Sequence, residues 1–296
     1  MSALASRSFR ELLGRIDARF QSEANDFGIR HPRLATVWRW LVRHRILTLC
    51  SLALLHGLYD GFQYMAFDAR LFAAAGDRLF TSHAFDVFSD PIVQVGPVLL
   101  LFSGIAMRLS VLLGVAMKMV LSPMVQVALA LGVVATTRAL LADSGRKAPG
   151  LEFFAGLVTI LGGLAWTASA SGHPAEGFIP LLWIWSARFA RKQRPIAAGV
   201  VLGLSTAMKL WGGLGLPLLL LVPRRRDLAT ATIAFTTVVV GAFAPFILFG
   251  EFTSFDYVWV VKPHSPLAFF IEPLTAVGWP ARVIQGAAAV GVGSML

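Results

Sequence analysis

Residues 195–223 read PIAAGVVLGLSTAMKLWGGLGLPLLLLVP, and Lys209 is the one charge in their apolar core, 197–222. A helix crosses the hydrocarbon of a bilayer in about 20 residues, so this core is too long for one tidy crossing. Basic clusters bracket it, with Arg188, Arg191, Lys192 and Arg194 before and Arg224, Arg225 and Arg226 after. Short loops rich in arginine and lysine stay on the cytoplasmic side, so both ends are expected there. The stretch then reads as a hairpin of two short half-helices turning near residues 209–213. A non-helical turn at membrane depth persists only where protein or a water-filled cavity surrounds it. One long tilted crossing, with residues 224–226 outside, is the alternative.

The whole chain shares this character. Of 296 residues 56% are hydrophobic and 14% charged, against about 25% charged in soluble domains. Such a chain is too apolar for an ordinary soluble fold and too hydrophobic for disorder. Lysine and arginine outnumber acids 26 to 16, a formal charge of +10. Cys50 is the single cysteine, which excludes an intrachain disulfide and a paired-cysteine metal site. Residues 1–45 hold nine arginines against Glu11, Asp17, Glu23 and Asp26, and Phe9, Leu12, Leu13, Ile16 and Phe20 fit one helical face. This segment reads as a basic amphipathic cytoplasmic arm lying on anionic lipid, not as a signal peptide.

A first span is expected at about 46–65, and residues 46–296 form one transmembrane domain. Residues 60–94 form the first extracytoplasmic loop, with Asp60, Asp68, Asp77, Asp86 and Asp90 against Arg70 and Arg78. Further apolar segments cover about 95–117, 119–137, 151–169, 178–190, 197–222 and 228–249, and a last one starts near Val283. Arg138, Arg146 and Lys147 mark another cytoplasmic loop. Parity then requires an odd number of crossings between 94 and 138, although two segments lie there. One of them is expected to be incomplete, tilted or parallel to the surface. The fold class is all-α, a polytopic bundle of about eight or nine membrane segments, some partial. The residues after Val283 resemble a helix cut short, so the chain is expected to be truncated at its C-terminus.

Ionisable groups at membrane depth or at its surface are functional candidates. Asp68 opens DARLFAAAGDRLF, where Leu71, Phe72, Ala75, Leu79 and Phe80 share a face, as in an interfacial amphipathic helix. Capping that helix is the structural role for its carboxylate. Asp86 and Asp90 lie in SHAFDVFSDP, and Asp90, before proline, suits a turn. His173 and Glu176, in SGHPAEG, either belong to a plain connection or line an outward cavity. Lys209 either snorkels to the surface or, in a hairpin, meets an anion. Lys262 and His264 follow the span at 228–249. The sequence has no phosphate loop, no H-E-x-x-H and no G-x-S-x-G, so neither ATP-driven chemistry nor zinc hydrolysis is indicated.

Four stretches together resemble the C-type (GT-C) polytopic membrane glycosyltransferases, and among them the actinobacterial polyprenyl-phosphate-mannose-dependent mannosyltransferases. They are Asp68-Ala-Arg-Leu-Phe72 with Gly76 and Leu79; Asp90-Pro91 with Gln94-Val-Gly-Pro97; Ser171-Gly-His-Pro-Ala-Glu-Gly177; and Ala197-Ala198-Gly199 with Lys209-Leu-Trp211 and Leu216-Pro217. None is a strict signature alone. The resemblance implies inverting transfer of a sugar, mannose first among the choices, from a polyprenyl-phosphate donor to a lipid or glycan acceptor. That transfer would occur on the extracytoplasmic face of a bacterial inner membrane. It implies Asp68 as general base, and a departing phosphate held by cations drawn from Lys209, Lys262, His264 and Arg70. His173 and Glu176 would complete the substrate site. No metal, other cofactor or nucleic-acid partner is implied. Relatives continue with more helices, which this chain lacks. A transporter or flippase of a lipid-linked substrate, with broken helices and a midplane lysine, and a truncated non-catalytic relative are the alternatives.

Overall fold

Proline and glycine set the helix boundaries. The computed structural model describes residues 22, 30–63, 67–170, 172–263, 268 and 271–295. Most of the N-terminal arm, Ser171 and His264 lie outside the described residues. Helix α1 (Pro32–Arg43) starts on proline, whose fixed φ suits a first turn where no N–H partner is needed. It meets α2 (Arg45–Phe62) at 89°. Helix α3 (Phe67–Arg78) leads through a short 3-10 turn, Ala84–Phe88, to α4 (Pro97–Leu113), again proline-started and ended by Gly114 at φ 64°. Helix α5 (Lys118–Asp143) is the longest. Helices α6 (Pro149–Leu161) and α7 (Leu164–Ala170) bend by 43° across a Gly-Gly break. Then come α8 (Ala175–Arg191), α9 (Pro195–Met208), a 3-10 helix (Leu210–Leu221) and α10 (Arg225–Phe249). A two-residue ladder, β1 (Trp259–Val260) with antiparallel β2 (Ala276–Val277), precedes α11 (Trp279–Met295). The expectation of an all-α chain did not foresee that small hairpin.

Small residues let the helices touch backbone to backbone. Gly57 of α2 lies on Pro123 of α5, and Gly61 on Met119, so these helices run antiparallel. Gly76 of α3 and Gly104 of α4 pack on each other's backbones. Gly199 of α9 sits on the Ala231 carbonyl, and Gly203 on Phe235 and Val238. Both partners advance together along the chain, so α9 and α10 run the same way. The residues between must therefore come back, and they do. Gly212 lies against Ser205 and Gly215 against Leu202, while Trp183 Nε1 donates to Gly212 O at 2.9 Å. The long single crossing is excluded, and the hairpin turns at Lys209.

The 3-10 form follows from length. Fourteen α-helical residues rise about 21 Å. Twelve 3-10 residues rise about 24 Å, enough to retrace α9. Residues three apart align along such a helix, which places Gly212 and Gly215 in one row against α9. Pro217 has no N–H for an α-helical bond.

Several expectations need correction. By length and apolarity two described helices, α5 and α10, can each cross a membrane, or up to four spans if each bent pair counts as one, and α4, α9 and the 3-10 helix are shorter apolar segments beside them; the expected eight or nine segments, some partial, go beyond this count. Helix α4, at 17 residues, falls short, so of the two segments at 95–137 only α5 is long enough. Asp60 was counted in the outer loop. It is instead a buried residue of α2, 5% exposed, because Gln126 of α5 donates a hydrogen bond to it. The apolar face of α3, expected to lie at the membrane interface, packs in large part on protein. Phe72, Ala73, Ala75 and Gly76 are buried, since the glycine contact draws α3 onto α4. The last helix begins at Trp279, earlier than the expected start near Val283.

Helix α10 exposes Ile233, Val240, Ile247, Leu248 and Phe249, and only 11% of its most apolar stretch is buried. That exposure suits acyl chains, and the described residues are consistent with a membrane protein. Ion pairs gather at one end of the bundle. Glu152, buried at the start of α6, accepts from Arg45 at 2.7 Å and from Arg138 at 2.9 Å. Asp143 accepts from Arg188 at 2.5 Å and also pairs with Lys192.

A Gly199→Val substitution should force α9 from α10 and lower stability by about 1–3 kcal/mol, the usual cost of overpacking. Gly241→Ala, where a Cβ meets open space inside α10, should raise stability by about 0.5–1 kcal/mol through helix propensity, read as a higher melting temperature in detergent.

Candidate functional site

Gly172 is where the site begins. Its φ is +77°, and a Cβ there would overlap the backbone of Ala69. Only glycine satisfies both the left-handed conformation and this close approach. The chain after α7 is thereby pressed onto the first turn of α3, and His173 arrives beside Asp68. His173 Nε2 lies 3.0 Å from Asp68 Oδ2. Asp68 is the second residue of α3, inside the first turn, and its side-chain partner is His173 rather than a free helix N–H. The expected capping role is therefore replaced by an ion pair or strong hydrogen bond.

His173 Nδ1 is buried without a partner. In the neutral ring, Nε2 then carries the proton given to Asp68 and Nδ1 keeps the lone pair, an assignment that follows from the partners. The Phe72 ring stands edge-on to the imidazole at 6.1 Å. The Asp68 side chain stays 42% exposed, so its other oxygen is open to an incoming group.

His173 O accepts from Glu176 N at 3.1 Å, which places the two side chains on one turn at the start of α8. Glu176 Oε1 in turn accepts from Lys209 Nζ at 2.8 Å. Lys209 occupies the break after α9, with extended backbone (φ −161°, ψ 136°), and is 18% exposed. It is held there by a second close approach. Gly96 lies against Ala207, and its N–H donates to Met208 O at 2.7 Å. That bond satisfies a carbonyl that the interrupted α9 leaves free. Asp68–His173 and Glu176–Lys209 are thus two acid–base pairs joined through the backbone of one turn, at the opposite end of the bundle from Glu152 and Asp143.

The other expected residues do not join it. Arg70 is exposed on α3, Lys262 is exposed after β1, and His264 lies outside the described residues. Asp86 is 3.7 Å from His83 within its own 3-10 turn. Asp90 makes the expected turn, accepting from Ile92 N at 3.0 Å. No group of three or more possible metal ligands occurs among the described residues. A small apolar cavity lies next to the break, lined by Phe88, Val95, Leu210, Phe243 and Phe252 and edged by Gln94, whose Oε1 is buried without a partner.

Sequence reasoning missed a second polar group. His56 Nδ1 lies 2.9 Å from Gln126 Oε1 and 3.4 Å from Asp60 Oδ2, while Gln126 is fully buried. The signal was a His and an Asp four apart inside an apolar helix, which places them on one face. The match with Gln126 needed the α2–α5 register. The chain matches no family model, no curated protein and no solved structure.

Asp68 and His173 are both partly solvated, and exposed pairs contribute little. A double-mutant cycle with Asp68→Asn and His173→Gln, read by thermal unfolding, should give a coupling below about 1 kcal/mol. Where the melting temperature of a single variant also stays close to that of the unaltered chain, its loss of function reports chemistry, not unfolding.

Proposed function

We propose that this chain is a membrane glycosyltransferase. It would transfer a sugar, mannose first among the candidates, from a polyprenyl-phosphate donor to a lipid or glycan acceptor. One observation carries the reading. Asp68, His173, Glu176 and Lys209 come from three distant stretches and meet at the end of the bundle away from the arginine clusters. By the charge asymmetry of membrane loops that end is extracytoplasmic, and the resemblance suggests a bacterial inner membrane.

The chemistry follows from the groups present. Asp68, oriented by His173, takes the proton as the acceptor hydroxyl oxygen attacks the anomeric carbon. The bond from that carbon to the phosphate oxygen breaks, its electron pair leaves with polyprenyl phosphate, and the anomeric configuration inverts. Lys209 offsets the charge that develops on the phosphate. Its partner Glu176 is the more exposed of the pair, at 46% against 18%. An arriving phosphate therefore competes with a carboxylate that can swing into solvent, while Lys209 stays in place.

The test is transfer of labelled sugar from a panel of polyprenyl-phosphate donors by the purified chain in nanodiscs. Asp68→Asn should lower the rate by about 10²–10⁴, the range for a lost general base. Undiminished transfer by that variant rules out the assignment. The half-buried His56, with the buried Asp60 and Gln126, favours a transporter as the second reading, since ionisable groups within membrane helices mark ion or substrate paths. Substrate movement that Asp60→Asn stops and Asp68→Asn spares would select it.

A further inference from the structure

Helix α1 leaves α2 at 89°. With α2 inserted along the bilayer normal, α1 lies in the plane of the surface. At 100° per residue, Leu34, Val37, Trp38 and Leu41 fall on one side of α1, and Arg39 and Arg43 fall on the other. Part of the apolar side is already engaged. Trp38 stands edge-on to Phe153 of α6 at 5.3 Å, and Leu41 and Val42 pack against the buried cluster around Leu49 and Ala53. The rest is open, with Leu34 and Val37 each 55% exposed and Trp40, at the flank, 56%.

The elbow is fixed from below. Arg45, the first residue of α2, gives Nε to the buried Glu152 carboxylate at 2.7 Å and Nη1 to the Val42 carbonyl at 3.4 Å. It ties the end of α1 to α6, and Arg138 shares the same carboxylate. The remaining arginines have no such use. Arg33, Arg39 and Arg43 are exposed, residues 30–45 contain no acid, and none of the three makes an ion pair among the described residues. Among the described residues Arg39 reaches the Thr36 hydroxyl, at 3.3 Å, and no acid.

We infer that α1 is a docking surface for the anionic headgroups of the leaflet that α2 enters. Leu34 and Val37 reach the acyl boundary beside the bundle, Trp40 sits at headgroup level, and Arg33, Arg39 and Arg43 bind lipid phosphates. Guanidinium suits that task, because its fixed fork of donors matches phosphate oxygens two at a time. The charge pattern selects the occupant. A zwitterionic surface needs no row of unpaired cations, whereas an anionic leaflet attracts each one by about fivefold in binding. The inference takes α2 as the part of the bent α1–α2 pair that enters the bilayer and α10 as a span, and is independent of the transferase reading.

The test uses the full chain in nanodiscs, with Cys50→Ser as background and a spin label at Leu34→Cys or at Ile233→Cys on the exposed side of α10. One set of discs is phosphatidylcholine alone, and the other contains roughly one-third phosphatidylglycerol. The label at 34 should be reached by oxygen in the lipid and shielded from aqueous nickel in the anionic discs. It should become nickel-accessible in phosphatidylcholine discs. Raised salt, or the triple change Arg33→Gln, Arg39→Gln and Arg43→Gln, should have the same effect by weakening docking about a hundredfold. The label at 233 should stay in lipid throughout, which reports that each variant is folded.

A label at 34 that is water-exposed in anionic discs, with 233 in lipid, overturns the docking. Equal shielding in both lipids overturns the role of charge. Shielding that requires added RNA identifies a nucleic-acid partner and overturns the choice of lipid. A water-exposed 233 overturns the membrane reading and the docking with it.

Discussion

Two parallel helices in contact oblige the chain to return between them, and much of this architecture follows from that obligation. Helix α9 can lie on α10 because Gly199 and Gly203 let the backbones meet. The return has to retrace α9 inside the bundle, which the 3-10 helix Leu210–Leu221 does. A reversal of direction needs a break, and the break is Lys209 in extended conformation. An interrupted helix leaves carbonyls without donors, and Gly96 supplies one of them. The position of Lys209, its reach to Glu176 and the placement of the segment before α4 are consequences of one packing choice.

The charges sort themselves along the bundle. At one end Glu152 and Asp143 each hold two basic side chains. At the other, single acids meet single bases, partly solvated. For Glu152 the first arrangement suits structure, because a buried carboxylate without its arginines would be costly, while Asp143 lies in an exposed pair. The second suits exchange of partners, because a solvated pair is weak and a ligand can replace one member. The separation of these two kinds of ion pair is what makes the Asp68 end the site of chemistry in the proposed reading.

Much of this was legible in the sequence, for specific reasons. The hairpin at 195–223 was readable because arginines flank both ends of a run too long for one crossing. Asp68, His173, Glu176 and Lys209 were readable as singular charges among apolar neighbours. Their pairing was not, because it depends on Gly172 and Gly96 bringing distant backbones into contact, and a glycine does not announce which backbone it meets. The lengths of the membrane segments were less legible, because an apolar run does not show where its helix ends: the run at 95–117 yields α4, which stops at Gly114 after 17 residues. Asp60 was misplaced for a related reason. A carboxylate near the end of a span looks like loop until its partner, here Gln126 on another helix, is known.

The 3-10 return also makes the hairpin a ruler. An α-helix of the same twelve residues would be shorter by about 6 Å. Its two ends could not then keep both Lys209 beside Glu176 and residues 224–226 beside the other basic clusters. Pro217 disfavours that contraction, because in an α-helix its ring would meet the carbonyl of residue 213, four residues back. The segment is thus a strut under a length constraint, and it sets how far the lysine projects from the arginine-rich end. Deleting or inserting a residue within it would shift that projection by about 2 Å, comparable to the tolerance of a hydrogen bond. An apolar stretch with no catalytic group of its own therefore sets the reach of the one cation at the site.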